Sequence, residues 1–381
     1  MSSGGNGVNP VRTRTSYDVI SADTHVLEPA DLWTSRIDAK YRERVPRIEW
    51  LPEGGAWIIE GAATPISFGF TMAAGRPAAA LTDWLKPEEV EPASWGDPAK
   101  RLEIQDADNI DAEILFPNRP FQGVVGNKDA DFHNAMVRVY NDWLSDFCSY
   151  APQRLGGVAT IPNGGVREAV AEVERAAQLP GISGFLLSAY PNGDTAIRDE
   201  DDPVWHAVAA SGKPLAIHIM LSDGMPYQID AGTLPGTGHF YDCPGRMLEI
   251  IFSGLLDRVP DLQIVFHEVD CGWLPYFLDQ ADDNYLRHAK ATLKDQNLAQ
   301  LPSDYVRERF SFSFIHDSTA IANRHTIGVN RMLWSNDYPH IASDWPSSWK
   351  AINAAFASVP VEERHAIVAG NAQRLYHFGE S

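Results

Sequence analysis

Short apolar runs separated by segments of helical periodicity constrain this sequence more than any other feature. Eight runs have strand character: 17–22, 112–116, 155–161, 184–187, 215–219, 263–267, 310–315 and 331–335. Most are continuously apolar rather than alternating, the pattern of strands covered on both faces. Between them, 131–150 carries Met136, Val137, Tyr140, Trp143, Leu144 and Phe147 at helical spacing, and 166–178, 203–210, 246–256 and 273–287 follow the same logic. Strand–helix alternation repeated about eight times predicts an α/β chain folded as a (β/α)8 barrel. A doubly wound open sheet would place a Gly-rich phosphate loop after the first strand, and this sequence has none there.

Two segments break the rhythm. Residues 1–16 are rich in Gly, Ser and Asn, with no apolar stretch of the signal-peptide kind, and read as a flexible N-terminal arm. The barrel domain then spans 17–378. Within it, about 45–98 is rich in Gly, Pro and Trp, and "GGAWIIEGAATPISF" reads as a small hairpin inserted after strand one. Such an insertion overhangs the end of the barrel where active sites lie. Trp50 and Trp57 either wall a pocket there or form the core of the hairpin. A polar, Gly-rich stretch at 221–245 reads as a lid or an interface loop.

Charge narrows the partners. With 31 Lys+Arg against 51 Asp+Glu, the formal charge is −20, which argues against nucleic acid and anionic membranes. No run approaches the roughly 20 apolar residues of a membrane span. The three cysteines, Cys148, Cys243 and Cys271, have no metal-like spacing and suggest a reducing cytoplasm.

Barrel chemistry sits at the C-terminal strand ends, and polar residues collect there. Strand one runs into "ISADTHVLEP". Asp23 and His25, two apart, point the same way on a strand. They converge either on a metal or, with Thr24, on a helix cap. Strand two ends in Asn118 and Arg119, strand five near His218, strand six in His267 and Glu268, strand seven in His316 and Asp317, and strand eight in Asp337 with His340 beyond. Several His and Asp residues at one end of several strands point to a mononuclear metal site.

"SADTHVLEP", "LAIHI", "LEIIFSGLLDRVPDLQIVFHE", "GWLPYFLDQAD", "SNDYPH" and "GNAQRLYHF" together resemble the amidohydrolase-2 branch of the amidohydrolase superfamily, over about 17–378. That branch includes aminocarboxymuconate-semialdehyde, γ-resorcylate and 5-carboxyvanillate decarboxylases. The resemblance implies one divalent ion, zinc first with manganese or iron as alternatives, held by Asp23, His25, His218 and Asp337. It implies a proton-handling residue after strand six, with Glu268 favoured by motif and His267 as its rival, only one of the two facing the pocket by strand alternation. Asp337 is a further acid/base candidate. Two departures stand out: the strand-one pair is Asp-x-His rather than His-x-His, and Asn336 replaces the usual Ser before the strand-eight Asp.

Arg119 is read as a partner for a substrate carboxylate, with Asn118, His340 and His316 lining the substrate site; His340 alternatively supports Asp337. Glu28 either orients a ligand or caps the next helix. The implied function is non-oxidative decarboxylation or C–C cleavage of a small aromatic or unsaturated carboxylic compound, as in aromatic catabolism. Hydrolysis of an amide, ester or lactone by metal-activated water is the alternative, and a metal-free binding barrel a remote one. Barrels of this branch are often homodimers, which makes 221–245 or the terminal helices candidate interfaces.

Overall fold

The computed structural model describes residues 17–62, 64–90, 95–194, 196–219, 243–292 and 297–379. The arm at 1–16 and most of the 221–245 stretch lie outside the described residues.

The strands, in chain order, are β1 (Ile20–His25), β2 (Arg47–Trp50), β3 (Gly55–Ile58), β4 (Ile66–Ser67), β5 (Ala112–Phe116), β6 (Leu155–Thr160), β7 (Ile182–Leu186), β8 (Leu215–His218), β9 (Ile264–His267), β10 (Phe310–Phe314) and β11 (Met332–Trp334). Eight of them form one parallel sheet in the order β1-β5-β6-β7-β8-β9-β10-β11, and β2-β3-β4 form a separate antiparallel sheet. The helices between the parallel strands complete the expected (β/α)8 barrel.

The first strand starts later than its apolar approach suggests. The Asp111 carboxylate accepts from the N–H groups of Asp18 and Val19, so the ladder begins at Ile20. Asp23 and His25 therefore lie inside the strand rather than past it. A bulge between Ser21 and Thr24 then shifts its register on β5. Pairing runs Ser21 with Glu113 and Thr24 with Leu115, so three steps on β1 match two on β5. The extra residue re-aims the strand, and Asp23 and His25 follow Ala22 into the barrel instead of alternating away.

The sheet closes without a β1–β11 ladder. Asp337 N–H donates to Asp23 O at 3.1 Å, His25 N–H to Tyr338 O at 2.7 Å, and Ser21 Oγ–H to Asn336 Oδ1 at 3.1 Å. Asn336, where the related pattern has Ser, thus joins the two edges of the barrel.

Inside the barrel, Ile20, Ala22, Ile114, Phe116, Val158, Leu186, Ala216, Val265 and Leu333 form one apolar cluster with Tyr17, Ala369, Ala372, Tyr376 and Phe378. The C-terminal segment is thus a plug at the lower end. Gly156 on β6 makes room for it, because a Cβ there would stand 2.9 Å from Phe378 Cζ.

The outer layer follows from helical periodicity. The Ala130–Cys148 helix starts where Asp129 caps Phe132 N–H, and it buries Phe132, Met136, Val137, Tyr140, Leu144 and Phe147 along its inner face. Each such side chain contributes roughly 1.5–3 kcal/mol by burial. The expected helix at 246–256 is instead two, Cys243–Phe252 and Leu255–Arg258, broken at Gly254 with φ 74°.

The insertion is larger than a hairpin, since Arg47–Trp50 adds a third strand. Trp57 is buried, while Trp50 is 41% exposed and meets Phe68 edge-on. Ala74 N–H donates to Pro339 O, which ties the insertion to the loop after β11. No helix among the described residues is long and apolar enough to cross a membrane.

Candidate metal centre

The strand ends bring the four expected ligands together and add a fifth side chain. Asp23, His25, His218 and Asp337 are all buried. His218 Nε2 lies 3.1 Å from Asp23 Oδ1. His25 Nε2 lies 3.6 Å from Asp23 Oδ1 and 3.3 Å from Asp337 Oδ1. His340 Nδ1 lies 3.0 Å from Asp337 Oδ1, and its ring stacks on His25 with centroids 4.0 Å apart. Two overlapping donor groups result, Asp23–His25–His218 and His25–Asp337–His340.

Both strand-end imidazoles are oriented from behind. His25 Nδ1–H donates to Pro117 O at 2.7 Å and His218 Nδ1–H to Ile219 O at 2.5 Å. Each ring then presents Nε2 to the centre, the arrangement by which an outer hydrogen bond fixes a ligand's tautomer. Asp337 is turned inward by a left-handed backbone, φ 51°, and the chain reverses after it through His340 N–H to Asp337 O.

The electrostatics suit a cation. Burial would raise the Asp23 carboxyl, but His218, with His267 and His25, holds it below its usual value. Asp337 is held well below the carboxylate range, because His340 and His25 outweigh burial. Burial and His340 push His25 down to about 4. For His218, the Asp23 charge outweighs burial and raises it. Asp23 Oδ2, His25 Nε2, both Asp337 carboxylate oxygens and His340 Nε2 are buried without a hydrogen-bond partner. Orphaned polar atoms in a closed site are costly. A divalent ion accepts this imidazole and carboxylate set, so the residues present fit a metal.

Strand alternation does not separate His267 from Glu268. His267 ends β9 pointing into the barrel. Its Nε2 shares a 2.8 Å hydrogen bond with the Tyr376 hydroxyl of the plug, and its Nδ1 stands 4.0 Å from Asp23 Oδ2. Burial pushes His267 down to about 3. Glu268 follows in a left-handed conformation, φ 56°, which ends the alternation and keeps it within electrostatic reach of Asp337 and Asp23. Burial first, then those two charges, raise its carboxyl well above the usual range.

The remaining expected residues divide. Asn118 has structural partners: its Oδ1 accepts from Arg119 N–H, its Nδ2 donates to Val26 O, and its N–H donates to Glu28 Oε1. Glu28 is buried and neither contacts a donor of the centre nor caps the next helix, whose cap position is Asp31. Burial pushes its carboxyl up to about 7. Arg119 lines a cavity with Glu28, Trp57, Phe68, Met72 and Trp95, and its Nε is buried without a partner. That cavity, ≈ 10 Å³, holds about one water and is too small for an aromatic ring. His316 stands apart from the cluster, exposed, with Nε2 2.8 Å from Asp344 Oδ2. Asp317 caps the Ser318–Ala322 helix by accepting from Ala320 N–H, and it also binds Cys271 and Gly272 N–H. All three cysteines are buried.

Sequence reasoning missed Tyr376, which no motif ties to β9, and left His340 between the substrate and a support for Asp337; its Nδ1 stands 3.0 Å from Asp337 Oδ1.

A family model described as Amidohydrolase matches residues 22–378. The chain is 28% identical over 295 residues to the gamma-resorcylate decarboxylase of Polaromonas sp. (strain JS666 / ATCC BAA-500), covering 73% of this chain and 86% of that relative. Its fold is similar to that of 5-carboxyvanillate decarboxylase LigW from Sphingomonas paucimobilis, with TM-score 0.67 and 20% identity over 95% of this chain and 99% of the other. It is also similar to a dihydroxybenzoic acid decarboxylase from Polaromonas sp. JS666 solved with bound manganese and the inhibitor 2-nitroresorcinol, with TM-score 0.64 and 20% identity over 96% and 98%. The chain belongs to the amidohydrolase family of enzymes.

Proposed function

We propose that this chain is a manganese-dependent, non-oxidative decarboxylase of a small hydroxylated aromatic carboxylate. The observation that carries the reading is the buried donor set of Asp23, His25, His218 and Asp337 at the strand ends, in which Asp23 Oδ2, His25 Nε2 and both Asp337 carboxylate oxygens lack a hydrogen-bond partner. The likeness to gamma-resorcylate decarboxylase and to a manganese-bound dihydroxybenzoic acid decarboxylase supports the substrate class, and puts manganese ahead of zinc.

In this reading the four residues hold the ion, with His340 supporting Asp337. When bound, the ion would supply positive charge to an anionic substrate. Glu268, whose carboxyl is raised above its usual range by its surroundings, delivers its proton to the ring carbon as the bond to the carboxylate breaks and CO2 leaves. The electron pair of that bond stays on the ring carbon and takes up the proton. Asp337 is held ionised and serves as ligand rather than donor. His267 is braced by Tyr376 beneath Asp23.

The test is metal analysis of the purified chain together with CO2 release from a panel of hydroxybenzoates. About one manganese per chain and CO2 from a member of the panel is the expected result. Ester or amide hydrolysis without CO2 release would return the assignment to a hydrolase, and neither metal nor turnover would leave a binding barrel.

A further inference from the structure

The end of the barrel opposite the metal centre holds a second cavity, of ≈ 510 Å³, within the size range of small-molecule sites. Pro214, Gln263, Ser311 and Arg331, each within a residue of a strand start, place it at the N-terminal ends of β8, β9, β10 and β11. Arg374 and His377, from the C-terminal segment, complete the wall.

Its charge runs against that of the molecule. In a chain of net charge −20, two arginines face this cavity and, among the described residues, neither makes an ion pair with a carboxylate. Arg331 Nη2 donates to Glu308 O at 2.8 Å and Nη1 to Gln263 Oε1 at 3.4 Å, while its Nε is buried without a partner. Arg374 Nη2 donates to Asn330 O at 3.3 Å and to Asn371 Oδ1 at 3.1 Å. The one lining carboxylate, Glu308, is engaged by Gln300 at 3.3 Å and Arg309 at 3.9 Å. Burial, then the charges of Arg374 and Arg309, lower the affinity of Arg331 for its proton, with Glu308 acting the other way. Two guanidinium groups held close, with Glu308 as the one carboxylate beside them, leave excess positive charge that an oxyanion relieves.

We propose that this cavity binds a small oxyanion, a carboxylate or a phosphate group, between Arg331 and Arg374. The site is separate from the metal centre and does not depend on the reaction assigned there.

Calorimetric titration of the metal-loaded protein with inorganic phosphate, and separately with benzoate, tests it. Saturable binding of either is expected, and the stronger of the two identifies the natural source of the group. Arg374→Gln changes an exposed side chain and Asn330→Asp places a carboxylate at the rim, and each should weaken that binding about tenfold or more. Arg167→Gln, at an exposed arginine paired with Glu168, removes the same charge elsewhere and should leave binding unchanged. Binding that neither pocket variant alters belongs to the metal centre and overturns the proposal, as does the absence of saturable binding by both anions.

Discussion

At the C-terminal end of the barrel, Asp23, His25, His218 and Asp337 are buried, and polar atoms of Asp23, His25 and Asp337 lack a hydrogen-bond partner. At the other end of the same cylinder, Tyr17, Ala369, Ala372, Tyr376 and Phe378 fill the interior with apolar surface. The apolar side chains of the plug stabilise by removing apolar area from water. The cluster has the opposite balance, since buried carboxylates and imidazoles cost free energy until a cation joins them. Damage to the two ends should therefore register in different measurements.

The sharpest way to break this contrast is His218→Ala. It should abolish stoichiometric metal binding and lower turnover at least ~10³-fold, while the fold survives by circular dichroism. Full metal occupancy in the variant would sink the ligand assignment. Glu268→Gln comes next, with turnover down roughly 10²–10³-fold and metal content unchanged. In the parent enzyme the same group sets an alkaline limb: activity falls as pH rises through its raised pKa, because the proton donor is lost.

Phe378→Ala acts on the other end. It should cost about 3 kcal/mol in denaturant unfolding, with turnover per folded molecule unaltered. The smallest effect concerns Glu28, buried near the cluster but outside it. Its carboxyl is raised from 4.5 to about 7 by burial. Between those values the folded chain keeps a proton that the unfolded chain has released, so stability falls as pH rises through that window and is level above it. Glu28→Gln should remove the slope and add about 1–3 kcal/mol above pH 7, read from unfolding midpoints across pH.

The barrel was legible because continuous apolar runs mark strands covered on both faces; the predicted 112–116 matches β5, and most other strands differ by a residue or two at an end. The four candidate ligands were legible because each stands at a strand end. What escaped was local backbone geometry. The bulge in β1 and the left-handed Glu268 and Asp337 carry no glycine to announce them, and the conformation of Glu268 overrides the two-residue alternation on which the choice between His267 and Glu268 rested. His340 joins the donors because the chain reverses at Asp337, a turn that composition does not encode. The third strand of the insertion was hidden by its short, half-exposed RIEW sequence.

The closure of the sheet at Asp23 and Asp337 has a consequence for how the protein comes into being. Ser21 and Asn336, which flank the seam, are 315 residues apart in sequence. A chain emerging from the ribosome holds only part of the donor set until its last barrel strand is made, so a half-finished chain offers a cation no complete berth. Once the strands have met, an ion held by the proposed ligands would be a clasp between the beginning and the end of the polypeptide. Withdrawing it loosens the barrel first at that meeting point, and the heat tolerance of the fold should rise with free ion concentration.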